Sequence, residues 1–187
     1  MPNAEKITVI GAAPEGATDP HSAGLAVRDM FTSIAPRYDL LNHVLSLNVD
    51  RLWWNRAART FSEILNHPNS DVLDLCCGTG DMTQALRRRA HPDTKIIGAD
   101  FSHAMLQRAR IKSEKTTLRW VEADALCLPF KSEGFDLITA AFGFRNLADY
   151  DAGLREIFRL LRPNGECGIL DFGEPQGVIG NLYRFYF

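Results

Sequence analysis

The chain has 187 residues, a formal net charge of −2 and 45% hydrophobic side chains, enough apolar material for one packed domain. That balance excludes the basic surplus that nucleic acid selects, and no apolar run reaches the roughly 18 residues of a membrane span. Cys76, Cys77, Cys127 and Cys167 lack the spacing of a disulfide or zinc framework, and read as reduced thiols of a cytoplasmic protein.

Residues 1–21, with Pro14, Gly16, Pro20 and little apolar periodicity, are expected to form a mobile arm rather than a signal peptide. Ser22 is placed as the N-cap of a helix that carries Val27, Met30, Phe31 and Ile34 at helical spacing, and Pro36 ends it. An apolar segment over 38–47 follows, then a helix over 51–65 with Leu52, Trp53, Trp54 and Phe61. Residues 22–66 therefore form a helical addition ahead of the sheet, suited to packing or to an apolar substrate lid.

From residue 71 strands and helices alternate, which predicts an α/β fold with a parallel sheet covered on both faces. The strands fall at 71–75, 95–99, 118–122, 135–141 and 166–171, with helices near 82–89, 102–111 and 149–161. Pro163-Asn164-Gly165 supplies the last turn, and the fifth strand reads as buried on both faces.

The first strand runs into Asp74-Leu75-Cys76-Cys77-Gly78-Thr79-Gly80-Asp81. Glycines at such a turn let the backbone approach a ligand. The third glycine of a dinucleotide loop is missing, and Asp74 and Asp81 flank the turn. A carboxylate-lined glycine loop suits an ammonium and a sulfonium, the charges of S-adenosylmethionine, better than a pyrophosphate. Asp100 ends the second strand, twenty residues after Gly80, where a carboxylate accepts both hydroxyls of an adenosine ribose. Phe101 and Met105 can flank an adenine, although packing explains Met105 equally well. Asp124 follows the third strand and can accept the adenine amino group while the Ala125 N–H donates to the ring; a turn role is the plainer reading. Asp74, Asp100 and Asp124 all fall at the carboxyl ends of successive strands, where open α/β sheets bind ligands. After the fourth strand, Arg145 and Asn146 follow an aromatic-glycine-aromatic turn and suit a flat, partly apolar substrate with ring oxygens; the alternative is an arginine bonding a carboxylate such as Asp149. The five histidines are scattered and form no metal cluster.

Four stretches resemble the menaquinone/ubiquinone C-methyltransferase family of Rossmann-like class I methyltransferases. They are Met30-Phe31-Thr32-Ser33-Ile34-Ala35-Pro36-Arg37-Tyr38-Asp39-Leu40-Leu41-Asn42, Asp74-Leu75-Cys76-Cys77-Gly78-Thr79-Gly80-Asp81, Gly98-Ala99-Asp100-Phe101-Ser102 and Phe142-Gly143-Phe144-Arg145-Asn146. The resemblance covers the chain from about residue 25 onward. It implies transfer of a methyl group from S-adenosylmethionine to a ring carbon of a lipid quinol, demethylmenaquinol foremost. It also implies contact with the inner face of the membrane as the place where such a quinol is met. It maps cofactor contacts onto Thr79, Asp100, Asp124 and Ala125, and places Arg145 and Asn146 near the quinol and Tyr38 near the site of methyl transfer. Some members carry serine where this chain has Ala141, which removes one minor contact. Family members continue past the fifth strand with a covering segment and two further strands. The chain thus reads as a truncated member, with residues 71–187 an incomplete core and the fifth strand an edge prone to self-association. Two other readings stand beside this one: a non-catalytic cofactor-binding fragment, and a nucleotide-dependent oxidoreductase.

Overall fold

Short runs of mostly apolar residues become four strands of a five-stranded parallel sheet, and half-exposed Arg119-Trp120-Val121-Glu122 supplies the other. A computed structural model describes residues 10–12, 14–38, 49–171 and 173. The strands are β1 (Asp71–Leu75), β2 (Lys95–Asp100), β3 (Arg119–Glu122), β4 (Phe135–Ala141) and β5 (Leu161–Leu170). They lie in the order β3-β2-β1-β4-β5. The helices are α1 (Pro20–Ile34), α2 (Val49–Thr60), α3 (Ser62–Asn66), α4 (Asp81–Arg87), α5 (His103–Lys112) and α6 (Tyr150–Leu160). Strands are added outward from β1 to β3 on one side and from β4 to β5 on the other. The order therefore reverses between β1 and β4, and a crevice opens at their carboxyl ends. Among the described residues no helix is long and apolar enough to cross a membrane.

Alternation along the strands divides the core into two layers. Leu73 and Leu75 of β1 join Ile138, Ile157 and Leu160 on one face. Val72 joins Leu86, Ile96, Leu137, Trp54 and Leu65 on the other, under α2, α3 and α4.

Several local expectations change. Asp19, not Ser22, caps α1: its Oδ1 accepts the Ser22 N–H at 2.9 Å, and the Ser22 hydroxyl oxygen accepts the Asp19 N–H at 3.1 Å. This capping box places Pro20 at the first helical position, where its missing N–H costs nothing. Only Ala23 and Val27 are buried along α1, and Met30 is exposed. Ala35 stays helical ahead of Pro36, so the chain tightens into a 3-10 turn over Ala35–Arg37 instead of stopping. The helix expected over 51–65 starts at Val49 and breaks at Phe61, giving α2 and α3; Trp54 is buried and Leu52 exposed. The apolar segment over 38–47 lies, beyond Tyr38, outside the described residues.

β5 begins earlier than expected. It pairs Leu161 with Phe135 and then Glu166 with Leu137, and the register shift accommodates Pro163-Asn164-Gly165, with Asn164 at φ 66°. Its side chains are also more exposed than a doubly covered strand requires; Cys167 is exposed and Ile169 is 44% exposed, because β5 is an edge of the described sheet.

One packing contact joins β2, β3 and the glycine turn. Gly98 pairs with Trp120 across β2 and β3, and a Cβ at Gly98 would lie 2.4 Å from the Trp120 ring. A Cβ at Gly80 would also lie 2.4 Å from that ring. Trp120 is anchored by its indole N–H, which donates to Ser113 Oγ at 3.0 Å. The indole therefore covers two glycines from different elements. Overpacking at such a site costs about 1–3 kcal/mol, so Gly98→Ala should lower the denaturation midpoint accordingly. In a Trp120→Ala background the same substitution should cost under about 0.5 kcal/mol, the non-additivity of groups in contact. An equal cost in both backgrounds would place the clash elsewhere.

Candidate active site

β1 leaves the sheet through a turn with three left-handed residues, Cys76 (φ 53°), Gly78 (φ 54°) and Gly80 (φ 85°). The two glycines are needed for different reasons. A Cβ at Gly78 would meet nothing within 4 Å, so its absence keeps the backbone open to a ligand, whereas Gly80 makes room for Trp120.

Asp100 reaches back from the end of β2 to this turn. It is 6% exposed; Oδ2 accepts the Gly78 N–H at 2.8 Å and Oδ1 the Ser102 N–H at 2.9 Å. Each oxygen retains acceptor capacity toward a cavity of about 610 Å³ lined by Gly78, Asp100, Phe101, Met105, Asp124 and Ala125 among others. Burial raises the Asp100 pKa to about 6, against the lowering by those backbone N–H groups. Asp124 takes the turn role, accepting the Leu126 N–H at 2.9 Å, and still lines the cavity. α1 closes this cavity from above. Phe31 meets Phe101 and Tyr38 edge-on at 6.5 and 6.0 Å, Arg28 pairs with Glu122 at 3.3 Å, and Thr32 and Ser102 share a hydroxyl hydrogen bond at 3.3 Å.

A second cavity of about 370 Å³ lies on the β4 side, lined by Tyr38, Asp50, Asp74, Thr79, Asp81 and Arg145 among others. The two cavities share Tyr38, Cys76, Gly78, Ala141 and Phe142, so they meet at the switch point. Asp74 is fully buried beneath the turn and accepts hydroxyl hydrogen bonds from Thr83 at 2.5 Å and Thr139 at 2.8 Å. Asp81 is ion-paired with Lys112 at 2.7 Å, and Lys112 also donates to Thr79 Oγ1 at 3.0 Å. The acids flanking the turn are thus held in place by named partners, and Lys112 offsets the charge of one of them. Lys112, buried Asp50 and the Thr83–Asp74–Thr139 tie were not legible in the sequence. Asp50 had a local signal only in its place at the start of a helix, where a carboxylate is favoured.

Burial also raises the Asp74 pKa to about 6. Both raised carboxyls bind protons more tightly in the folded chain than in the unfolded one. Their contribution to stability is therefore complete below about pH 4 and lost as pH rises through about 6, on the order of 3 kcal/mol for each. At neutral pH the fold tolerates two ionised, buried carboxylates at the carboxyl ends of adjacent strands.

The loop after β4 brings the remaining expected residues to the same place. Phe142 (φ 58°) donates its N–H to Leu170 O at 2.7 Å, and Gly143 lies so close to Cys76 that a Cβ would approach within 2.3 Å. In the following 3-10 turn, Phe144–Asn146, Arg145 lines the 370 Å³ cavity and Asn146 the 610 Å³ cavity. Arg145 pairs with Asp171 at 2.7 Å. Asp149 instead caps α6, accepting the Ala152 N–H at 2.9 Å. Residues 10–12, within the segment expected to be a mobile arm, are tied to this loop: Ala12 N–H donates to Leu147 O at 2.7 Å, and Tyr150 N–H to Ile10 O at 2.9 Å. Of the expected site residues, Asp100, Asp124, Ala125 and Asn146 line the larger cavity, Asp74, Thr79 and Arg145 the smaller, and Gly78 both. Tyr38 lines both, and Gly80 supports the turn from behind.

Solved structures with this architecture include an S-adenosylmethionine-dependent methyltransferase from Aquifex aeolicus (TM-score 0.58, 21% identity, 65% of this chain and 66% of that one). Phosphoethanolamine N-methyltransferase 1 of Haemonchus contortus aligns with a TM-score of 0.65 at 18% identity, over 80% of this chain and 32% of that one. These likenesses establish the fold. Sequence relatives are nearer. A demethylmenaquinone methyltransferase of Deinococcus radiodurans is 48% identical over 172 residues, covering 90% of this chain and 70% of the relative. One of Thermus thermophilus is 47% identical over 161 residues, covering 84% of this chain and 71% of the relative. The family described as ubiE/COQ5 methyltransferases matches residues 18–187. With that match, with relatives nearly half identical over most of its length, and with a sheet whose switch point carries the glycine turn and Asp100, the chain belongs to the ubiE/COQ5 methyltransferase family.

Proposed function

We propose that the protein transfers a methyl group from S-adenosylmethionine to a ring carbon of a quinol, converting demethylmenaquinol to menaquinol. The reading is carried by Asp100, a buried carboxylate locked to the glycine turn at the floor of one cavity that joins a second cavity holding Arg145. The names of the two relatives at 48% and 47% identity support it. A dinucleotide oxidoreductase is disfavoured, since Asp50, Asp74 and Asp81 line the smaller cavity, where a pyrophosphate would meet like charge.

The residues present fit the cofactor, because the space left by the missing Gly78 side chain and the remaining lone pairs of Asp100 face one cavity. S-adenosylmethionine supplies an electrophilic methyl group on a sulfonium. Asp100 would accept the ribose hydroxyls, Asp124 the adenine amino group, and the Ala125 N–H would donate to the ring. Gly78, Thr79 and Gly80 shape the turn, and Asp74 holds it from below. A quinol ring carbon becomes nucleophilic as the neighbouring hydroxyl loses its proton. The guanidinium of Arg145 is suited to stabilise the resulting oxyanion. Tyr38, at the junction of the cavities, and Asn146 would orient the ring. Apolar Phe31, Phe101 and Phe142 exclude water around them.

Calorimetric titration should show binding of S-adenosylhomocysteine and none of NAD; the reverse result would remove the reading. Asp100 accepts hydrogen bonds best when ionised, so affinity for S-adenosylhomocysteine should rise about tenfold from pH 5 to pH 7, as the carboxyl titrates near 6. Asp100→Asn should bind weakly with no such rise, and an unaltered pH profile in that variant would move the ribose site elsewhere. Arg145→Ala should reduce the rate of methylation of demethylmenaquinol by about 10²–10³ with little change in cofactor affinity, the loss seen when one oxyanion donor is removed. Equal losses in binding and turnover would instead make Arg145 a structural residue.

A further inference from the structure

We infer that Asp171 is a positioning residue for Arg145, its carboxylate at the carboxyl end of β5 holding the guanidinium at the rim of the smaller cavity and away from the acids inside. The inference rests on the oxyanion role proposed for Arg145.

The backbone of Arg145 is placed without help from Asp171. Within the 3-10 turn, Asn146 N–H donates to Gly143 O at 3.0 Å and Leu147 N–H to Phe144 O at 3.1 Å. The Tyr150 hydroxyl donates to the Arg145 carbonyl at 2.9 Å, and the Tyr150 ring stacks on Phe144 at 5.6 Å. These contacts leave open the direction of a long side chain that is 47% exposed and so only loosely packed. The 2.7 Å contact from Nη1 to Asp171 Oδ1 holds one guanidinium nitrogen toward the end of β5. A planar guanidinium held by a carboxylate presents its remaining N–H groups in a fixed fork.

Charge gives the contact a second effect. The cavity that Arg145 lines also contains Asp50, Asp74 and Asp81. With the Asp171 carboxylate removed, the attraction of these acids for the guanidinium is no longer opposed from the β5 side. The same stretch of chain fixes the start of the loop, because Leu170, next to Asp171, accepts the Phe142 N–H at 2.7 Å. The end of β5 thus controls both the entry of the loop and the direction of its arginine. A half-exposed ion pair contributes little to folding, which separates this role from a structural one.

The test compares Asp171→Ala, isosteric Asp171→Asn, Asp171→Glu, Arg145→Ala and the Asp171→Ala/Arg145→Ala double variant. Each is assayed for kcat and KM with demethylmenaquinol, for S-adenosylhomocysteine affinity and for melting temperature. Asp171→Ala should lower kcat about 10- to 100-fold, the loss that follows misplacement of a reacting group by about an ångström. Affinity for S-adenosylhomocysteine and melting temperature should stay as in the parent, Asp171→Asn should show a smaller loss, and Asp171→Glu should recover much of the rate. The double variant should be no slower than Arg145→Ala alone, as for two groups acting through one interaction. Additive losses, an unaltered kcat in Asp171→Ala, or parallel losses of affinity and melting temperature would overturn the inference. If Arg145→Ala is slow while Asp171→Ala is normal, only this inference falls. If Arg145→Ala itself is normal, the function proposed for the arginine falls and this inference with it.

Discussion

The carboxylate of Asp74 is wholly buried, and threonine hydroxyls from two other elements, Thr83 of α4 and Thr139 of β4, bond its two oxygens. Asp74 stands opposite Gly98 of β2 and Thr139 of β4 in the parallel register, so it occupies the middle of the sheet beside the switch point. Burying such a charge is tolerable only with its acceptors satisfied. The tie fixes β1, β4 and α4 relative to one another and thereby fixes the glycine turn between β1 and α4. Asp100 repeats the device one strand over, with backbone N–H groups in place of hydroxyls. Both groups are held at a pKa of about 6 by their burial, so near neutral pH the fold gives up stability to keep two acceptors at the site.

Part of the backbone strain lies at the same place. Cys76 and Phe142, neither of them glycine, both adopt positive φ at the ends of β1 and β4, a conformation costing on the order of 1–3 kcal/mol for each. Neighbouring hydrogen bonds constrain both turns: Cys77 N–H donates to Ala99 O at 3.0 Å and Phe142 N–H to Leu170 O at 2.7 Å. Gly143 packs on Cys76, which brings the two strained corners together where the cavities join. Arg145 and Asn146 are successive residues of a 3-10 turn, whose side chains point about 120° apart, and they line different cavities.

The cover over the larger cavity is held differently. α1 reaches the sheet through one exposed ion pair, one hydroxyl contact and edge-on aromatic rings, and residues 10–12 add two backbone hydrogen bonds to the loop after β4. Such a segment has few buried apolar contacts, and its polar contacts are few and mostly exposed, the pattern of a unit that opens below the global unfolding free energy. The rigid floor and the lightly held cover are complementary: Asp100 and the turn are set before a ligand arrives, and α1 bounds the space above them.

The sequence by itself determined the order of strands and helices, the bounds of β4, the glycine turn, and the placement of Asp100 and Asp124 at strand ends. These follow from hydrophobic period and turn chemistry, which act over a few residues. It was less sure even locally where two signals competed, as at Asp19 and Ser22, which share one capping box. Tertiary structure alone decided the contacts that depend on register and crossover. Trp120 covers Gly80 and Gly98, Lys112 neutralises Asp81, and Arg145 finds Asp171 rather than Asp149. Each joins residues more than twenty positions apart, and no local pattern encodes which strand end will face which helix. The exposure of β5 has the same origin, since an apolar run looks alike in the middle of a sheet and at its edge, and only the neighbours decide which faces are covered.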